Sequence, residues 1–334
     1  MNENTYIVRR LMNIYNKLTQ FLIVFALIYS VLGCSENKNS STERGDISGD
    51  LNISGAYSSY PIMKIWAVEF NKLHPAVKVD VVANGTGKGI MQVLSGKAHI
   101  GMISRQLSKD ELEKGLWHIS FAKDAVLPLM SAKNPDFRSI SRKGLTKENF
   151  RQVYITDEIK YWGDAAGTLS RDLIHIIKRQ DIAGDSEIWG NYLEKKEEDL
   201  AGFGVFGDPG MIDAIVKEPH AMGYASMGYV FDLETRKPAK GVGIIPIDLD
   251  KNGLIYPEEN IYENVDKFIE ALEKGIYPVS RNLQLVTNGT PKDRTVREFL
   301  NFIMNDGQKF LKESGYASIG VDSLNTQRAK LRNL

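Results

Sequence analysis

The chain has 334 residues, 43% of them hydrophobic, with 42 basic and 42 acidic side chains. That length suggests about two domains and a sizeable core. A formal net charge of zero leaves no global basic field for nonspecific nucleic-acid binding, and the single cysteine, Cys34, excludes an internal disulfide or a multi-thiolate metal site.

The N-terminal segment places Arg9, Arg10 and Lys17 before an apolar run, FLIVFALIYSVLG, that ends at Gly33. The run is too short for a comfortable membrane span, and the order of basic region, apolar core and small residue predicts a secretory signal over residues 1–33. Val31-Leu32-Gly33-Cys34 resembles the bacterial lipoprotein box, in which cleavage leaves Cys34 as the lipidated N-terminus. An uncleaved anchor is the other reading, and Met12 competes with Met1 as the start. Residues 34–50 are polar without apolar periodicity and read as a flexible tether. These features put the folded part on the periplasmic or cell-surface side of a bacterial membrane, tethered by lipid.

From there the elements alternate. A strand at Leu51–Gly55 precedes a helix carrying Ile62, Met63, Trp66, Phe70 and Leu73, and Val77, Val79 and Val81 mark the next strand. A glycine-threaded loop, ANGTGKG, opens a second helix with Ile90, Val93 and Leu94, and a strand follows at Ile100–Ile103. Such alternation predicts a parallel sheet flanked by helices, with ligands at the carboxyl ends of strands beside helix starts. Gly55-Ala56-Tyr57-Ser58-Ser59, Gly85-Thr86-Gly87 and Ser104-Arg105 all fall there. The glycine loop fits neither the P-loop nor the Rossmann spacing. A second αβ region offers strands at Ala125–Met130, Ile174–Ile177 and Val242–Ile247, and Leu283–Val286 precedes an amphipathic helix through Val296, Phe299, Leu300 and Ile303. The resulting α/β organisation has a first lobe beginning at residues 51–126, a second at 127–242, and a return segment, 243–334, that completes both.

Catalytic signatures are poor. The five histidines are scattered, with His99 and His175 reading as core residues of apolar strands. A two-carboxylate hydrolase could use Asp124 and Asp208, but nothing in the sequence places them together, and Asp208 reads as a turn residue before a helix over residues 211–216. The protein is expected not to be an enzyme. Residues 248–259, DLDKNGLIYPEE, match the calcium-loop pattern. Asp248, Asp250, Asn252, the Leu254 carbonyl and Glu259 would be the ligands of a structural calcium ion, against the plainer reading of an acidic turn.

Several segments, in order, resemble the landmarks of phosphate-binding proteins of ABC importers: ISGAYSSYPIMKIWAVEF, VVANGTGKGIMQVLSGKAHIGMISRQLSKDE, KNPDFRSISRKGLTKENFRQVYITDEIKYWGD, AMGYASMGYV and REFLNFIMNDGQKFLKESGYASI. The resemblance implies the type 2 periplasmic-binding-protein fold: two αβ lobes, each a mainly parallel sheet flanked by helices, closing by a hinge over a captured oxyanion. It implies a monomer that hands inorganic phosphate to an ABC permease and requires no cofactor. By the same resemblance, Tyr57, Ser58, Ser59, Thr86, Gly87, Arg105, Arg179, Gly184 and Asp185 line the ligand. Each also has an ordinary reading: the serines as helix caps, Thr86 as a turn residue, the arginines as ion-pair partners. The sequence departs from the family where Ile182-Ala183-Gly184-Asp185 replaces Gly-Ser-Gly-Thr. Asp185 would either repel an anion or accept the proton of a hydrogen phosphate. That departure keeps a second reading open, a relative without phosphate binding that serves as a sensor or surface module, and more remotely an extracytoplasmic hydrolase.

Overall fold

The computed structural model describes residues 47–181 and 183–333 of the chain. The signal, the tether as far as residue 46 and Cys34 lie outside the described residues. The described residues form one compact unit.

The first lobe opens with β1 (Gly49–Gly55), which leads through a tight turn at Tyr57–Ser59 into α1 (Tyr60–Leu73). Residues 62, 63, 66, 67 and 70 bury one face of α1, as the helical spacing of its apolar residues demands. Next come β2 (Val77–Ala83), α2 (Thr86–Leu94), β3 (Ile100–Ile103) and the short α3 (Lys109–Glu113). β1 lies between β2 and β3, parallel to both. The strand β4 (Leu116–Ser131) then runs for 16 residues out of this lobe and into the other.

The second lobe contains α4 (Phe137–Lys143), α5 (Lys147–Tyr154), α6 (Trp162–Ala166), β5 (His175–Arg179), α7 (Gly184–Tyr192), β6 (Phe203–Val205), α8 (Gly207–Lys217), β7 (Ala221–Ser226), α9 (Met227–Val230), β8 (Val242–Ile244) and α10 (Val265–Glu273). The chain returns through β9 (Ser280–Asn288), followed by α11 (Arg294–Met304) and α12 (Val321–Arg332). The strands form one path, β2-β1-β3-β9-β4-β7-β5-β6, with β8 on β4. Each lobe has three parallel strands. The long crossing strands add antiparallel pairs to both, because β9 runs against β3 and β4, and β4 runs against β7 and β8.

There are two large hydrophobic cores. One gathers Ile53, Trp66, Phe70, Phe121, Ala122, Leu283 and Phe299, the other Ala125, Leu127, Trp162, Trp189, Tyr224, Phe268 and Val279. On β4 the change of core falls between Ala122 and Ala125, and on the returning chain between Val279, just before β9, and Leu283 on it. Asp124 and Arg281, register partners across the two strands, sit at that seam.

Three expectations are corrected. The strand read at Ile174–Ile177 is His175–Arg179, so its alternation turns His175 outward, with Nδ1 3.3 Å from a Glu218 carboxylate oxygen. His99, just before β3, is exposed and accepts from the Asn52 amide; neither histidine is a core residue. Asp208 is not a loop turn but a buried residue in the first turn of α8.

Candidate binding site

The turn after β1 approaches the second lobe from one side. The Tyr57 ring lies 5.4 Å from the Arg179 guanidinium carbon, and the Tyr229 hydroxyl donates to the Tyr57 carbonyl at 3.0 Å. Gly207 is required beneath the ring, for a Cβ there would stand 2.9 Å from it. Beside Tyr57, the hydroxyls of Ser58 and Ser59 are buried without any hydrogen-bond partner. Neither caps α1: Ser59 stands at the N-cap but makes no side-chain bond to it. The capping alternative is therefore not what the structure shows. Two buried hydroxyls left open in this way are rare and call for an explanation.

Thr86 begins α2 and is also buried, but its hydroxyl is engaged. It lies 3.1 Å from Ser104 Oγ and accepts from the Ser104 amide at 3.3 Å. Gly87 is half-buried behind it. Ser104 in turn abuts the start of α7 so closely that a Cβ on Gly184 would lie 2.4 Å from its Oγ. Only glycine lets the two lobes approach at that point. Arg105 points elsewhere: Glu111 accepts from it through both oxygens, at 2.7 and 2.8 Å, and Glu187 of the other lobe lies 3.0 Å from its Nε. Its hydrogen bond to Glu111 raises the arginine pKa further, and burial raises that of Glu187.

On the second lobe, β5 ends in Arg179, and every arm of its guanidinium is committed. Nε and Nη2 donate to the two oxygens of Asp181, at 2.8 and 2.6 Å, in the fork geometry that suits a carboxylate. Nη1 donates to Asp185 at 2.6 Å and to Asp208 at 2.9 Å. Arg281 faces it from the seam, donating to Asp124, to Asp185 and to Ser226 Oγ. Ser226 Oγ also donates to Asp185, and the Ser226 amide donates to Asp208. Arg281 Nη1 and Asp124 Oδ1 have no partner although both are buried.

The charges respond to this crowding. Burial opposes ionisation of Asp185, but Arg281 and Arg179 outweigh it and hold the carboxyl at about 2. Burial, then the neighbouring Asp185 charge, push Asp208 up to about 7 despite Arg179. Burial likewise lifts Asp124 to about 6 against the pull of Arg281. Asp185 and Asp208 share one guanidinium nitrogen, and the ion-pair energy goes to Asp185.

The structure thus brings Tyr57 against Arg179, Arg179 against Asp185, and Gly184 and Thr86 both against Ser104, leaves Ser58 and Ser59 on the turn beside Tyr57, and turns Arg105 to Glu111 and Glu187. Sequence reading missed Arg281, Ser226 and Asp181, and it considered Asp124 and Asp208 only as an unplaced pair. A signal existed: SRNLQLV and KDAVLPLM each carry a charge into an apolar strand, and a buried charge needs a partner. The loop at residues 248–259 lies apart. Asp248 accepts from the Lys251 and Gly253 amides, Asp250 from that of Asn252, Asn252 from that of Leu254 and Glu259 from that of Tyr256. Among the described residues, no three His, Cys, Asp or Glu side chains gather as a metal site.

Two lobes joined by crossing strands, with polar and charged side chains meeting between them, define a solute-binding architecture. A profile described as the PBP superfamily domain matches residues 40–306, and the chain belongs to that superfamily. Among curated proteins it is similar to the phosphate-binding protein PstS of Borreliella burgdorferi, 25% identical over 89% of this chain and 98% of that one. A Clostridium perfringens structure, described as a phosphate ABC transporter substrate-binding protein with bound phosphate, superposes with a TM-score of 0.67 at 22% identity, covering 81% of this chain and all of that one. An ABC-type phosphate transport receptor from Vibrio cholerae superposes with a TM-score of 0.58 at 23% identity over 80% of this chain and 99% of that one. At those identities the two structures establish the fold.

Proposed function

We propose that the protein is an extracytoplasmic solute-binding protein that captures an inorganic oxyanion, phosphate foremost, between its lobes and delivers it to an ABC permease. The observation that carries this reading is the pair of buried, unpartnered hydroxyls, Ser58 and Ser59, on the turn whose Tyr57 ring covers Arg179. Hydroxyl donors and guanidinium forks are the groups that recognise tetrahedral oxygens. The curated relative named for phosphate binding, matched over nearly its whole length, supports the same ligand. Binding would close the lobes, with Tyr57 to Ser59 on one wall and Arg179 on the other, the crossing strands β4 and β9 acting as the hinge. Lipid attachment at Cys34 would hold the folded part near its permease. Among the described residues no helix is long and apolar enough to cross a membrane.

One observation favours a second reading, a relative that no longer binds phosphate and acts as a sensor or surface module: the Asp185 carboxylate already engages both arginines. Titration with phosphate, sulfate and molybdate, followed by heat and melting temperature, separates the two. Phosphate at 100 times its dissociation constant should add about 2.7 kcal/mol of stability. No response to any anion would leave the second reading, and turnover of a phosphoester would replace both with a hydrolase.

A further inference from the structure

We propose that Asp185 is the resident anion of the cleft: its carboxylate fills the seat between Arg179 and Arg281, and a captured oxyanion must compete with it. The inference rests on the oxyanion reading above and names the residue that sets its strength.

The donors around Asp185 are those an oxyanion would want. One oxygen accepts from Arg179 Nη1, the other from Arg281 Nη2 and from the Ser226 hydroxyl. The residue lies in the first turn of the nine-residue helix α7, where the helix dipole adds partial positive charge. Two guanidinium groups, one serine hydroxyl and a helix start make a donor set for a tetrahedral anion, and a side chain of the protein holds it.

Charge decides the consequence. Two arginines meet four carboxylates here, Asp124, Asp181, Asp185 and Asp208, all within direct bonds of a guanidinium. Four carboxylates against two guanidinium groups leave no surplus positive charge, even though burial favours the protonated forms of Asp124 and Asp208. A divalent anion entering beside an ionised Asp185 finds arginine charge already neutralised and a like charge at contact distance. Removing the Asp185 carboxylate frees an Arg179 Nη1 hydrogen and the Ser226 hydroxyl, while Arg281 Nη2 keeps Asp124 and Ser226 as acceptors. The two freed donors would join Arg281 Nη1, Ser58 Oγ and Ser59 Oγ, which have no partner now.

The side chain at 185 is thus a threshold residue, separating this cleft from one open to any oxyanion. The test is calorimetric titration of inorganic phosphate into the wild-type protein, Asp185→Asn and Asp185→Ser, with melting curves to certify that each variant folds. Asparagine keeps the shape and the Ser226 contact; serine leaves the seat open. The expected result is a gain in phosphate affinity of at least tenfold in both variants, since a like charge at contact distance is removed. Equal or weaker binding in folded variants, with the wild type binding well, overturns the proposal and leaves the oxyanion reading intact. Absence of binding in all three proteins overturns both, and the two failures are distinguished by the wild-type titration alone.

Discussion

The two walls of the cleft handle polarity in opposite ways. On the first lobe the wall beside Tyr57 is uncharged, with Arg105 turned to Glu111 and Glu187: Ser58 and Ser59 offer hydroxyls with nothing to bond, and Thr86 and Ser104 bond each other. On the second lobe the wall is ionic and nearly self-sufficient, with Arg179 fully paired and Arg281 paired on all but one nitrogen. The contrast teaches that recognition capacity is a matter of uncommitted donors, not of donor count. The side with two arginines leaves a single guanidinium nitrogen uncommitted and so offers no more free donors than the two serines.

The largest effect expected from breaking this contrast is on stability. Arg179→Ala would strand Asp181, Asp185 and Asp208 in a site from which water is excluded. Removing one partner from a buried ion cluster costs about 3–5 kcal/mol. Urea unfolding should show the midpoint fall accordingly, and a change under about 1 kcal/mol would mean that the cluster is hydrated and loosely held.

Second in size is a pH effect with a defined sign. Asp208 and Asp124 bind protons more tightly folded than unfolded, at about 7 and about 6 against ordinary carboxylate values near 4. Between those limits the folded state holds more protons, so this contribution to stability is full below about pH 4 and is lost as pH rises through about 7. Asp185 acts oppositely, its contribution fading only as pH falls below about 4 toward 2. The melting temperature should therefore decline from about pH 5 to about pH 8, and Asp208→Asn should flatten the decline. A melting temperature that climbs over that range would refute the assignment.

The same contrast explains what the sequence could reveal. Alternating Val77, Val79 and Val81 and the helical stripe of Ile62, Met63, Trp66 and Phe70 encode local periods, so those elements were legible. The 16-residue length of β4 was not, because its charged Lys123 and Asp124 look like an interruption. In space Asp124 meets Arg281, 157 residues later, and only the tertiary pairing reveals that the charge belongs inside. Arg179 was legible as a match to the family pattern and Asp185 as a departure from it. That Asp185 would engage two arginines at once depended on Arg281, whose place at the seam no local signal conveys. Gly184 was legible only as a position of the family's ligand loop; its close approach to Ser104 of the other lobe shows only in space.

Smaller still is the effect of the uncharged wall on folding. Ser58→Ala and Ser59→Ala each remove a buried hydroxyl that has no bond to lose, so stability should stay within about 1 kcal/mol of wild type or rise slightly. Anion binding should respond in the other direction, falling by roughly tenfold if a hydroxyl donates to the ligand. A variant that loses stability as well would show that water or a neighbour already satisfies the hydroxyl.

The smallest expected change is the response to divalent metal of the loop at residues 248–259, where carboxylates already have partners. Asp248 is buried and ties two amides of its own loop, so Asp248→Ala should cost about 1–3 kcal/mol with or without divalent metal. Asp250 is exposed and holds only its neighbour Asn252, so Asp250→Ala should change little. If the loop instead takes calcium, millimolar metal would raise the melting temperature of the wild type, and Asp250→Ala would abolish that rise. The side chains are already engaged with backbone amides, and Pro257 interrupts the register of a following helix, so we expect no rise in either protein. Differential scanning calorimetry with chelator and with calcium distinguishes an ion held by the loop from a loop held by itself.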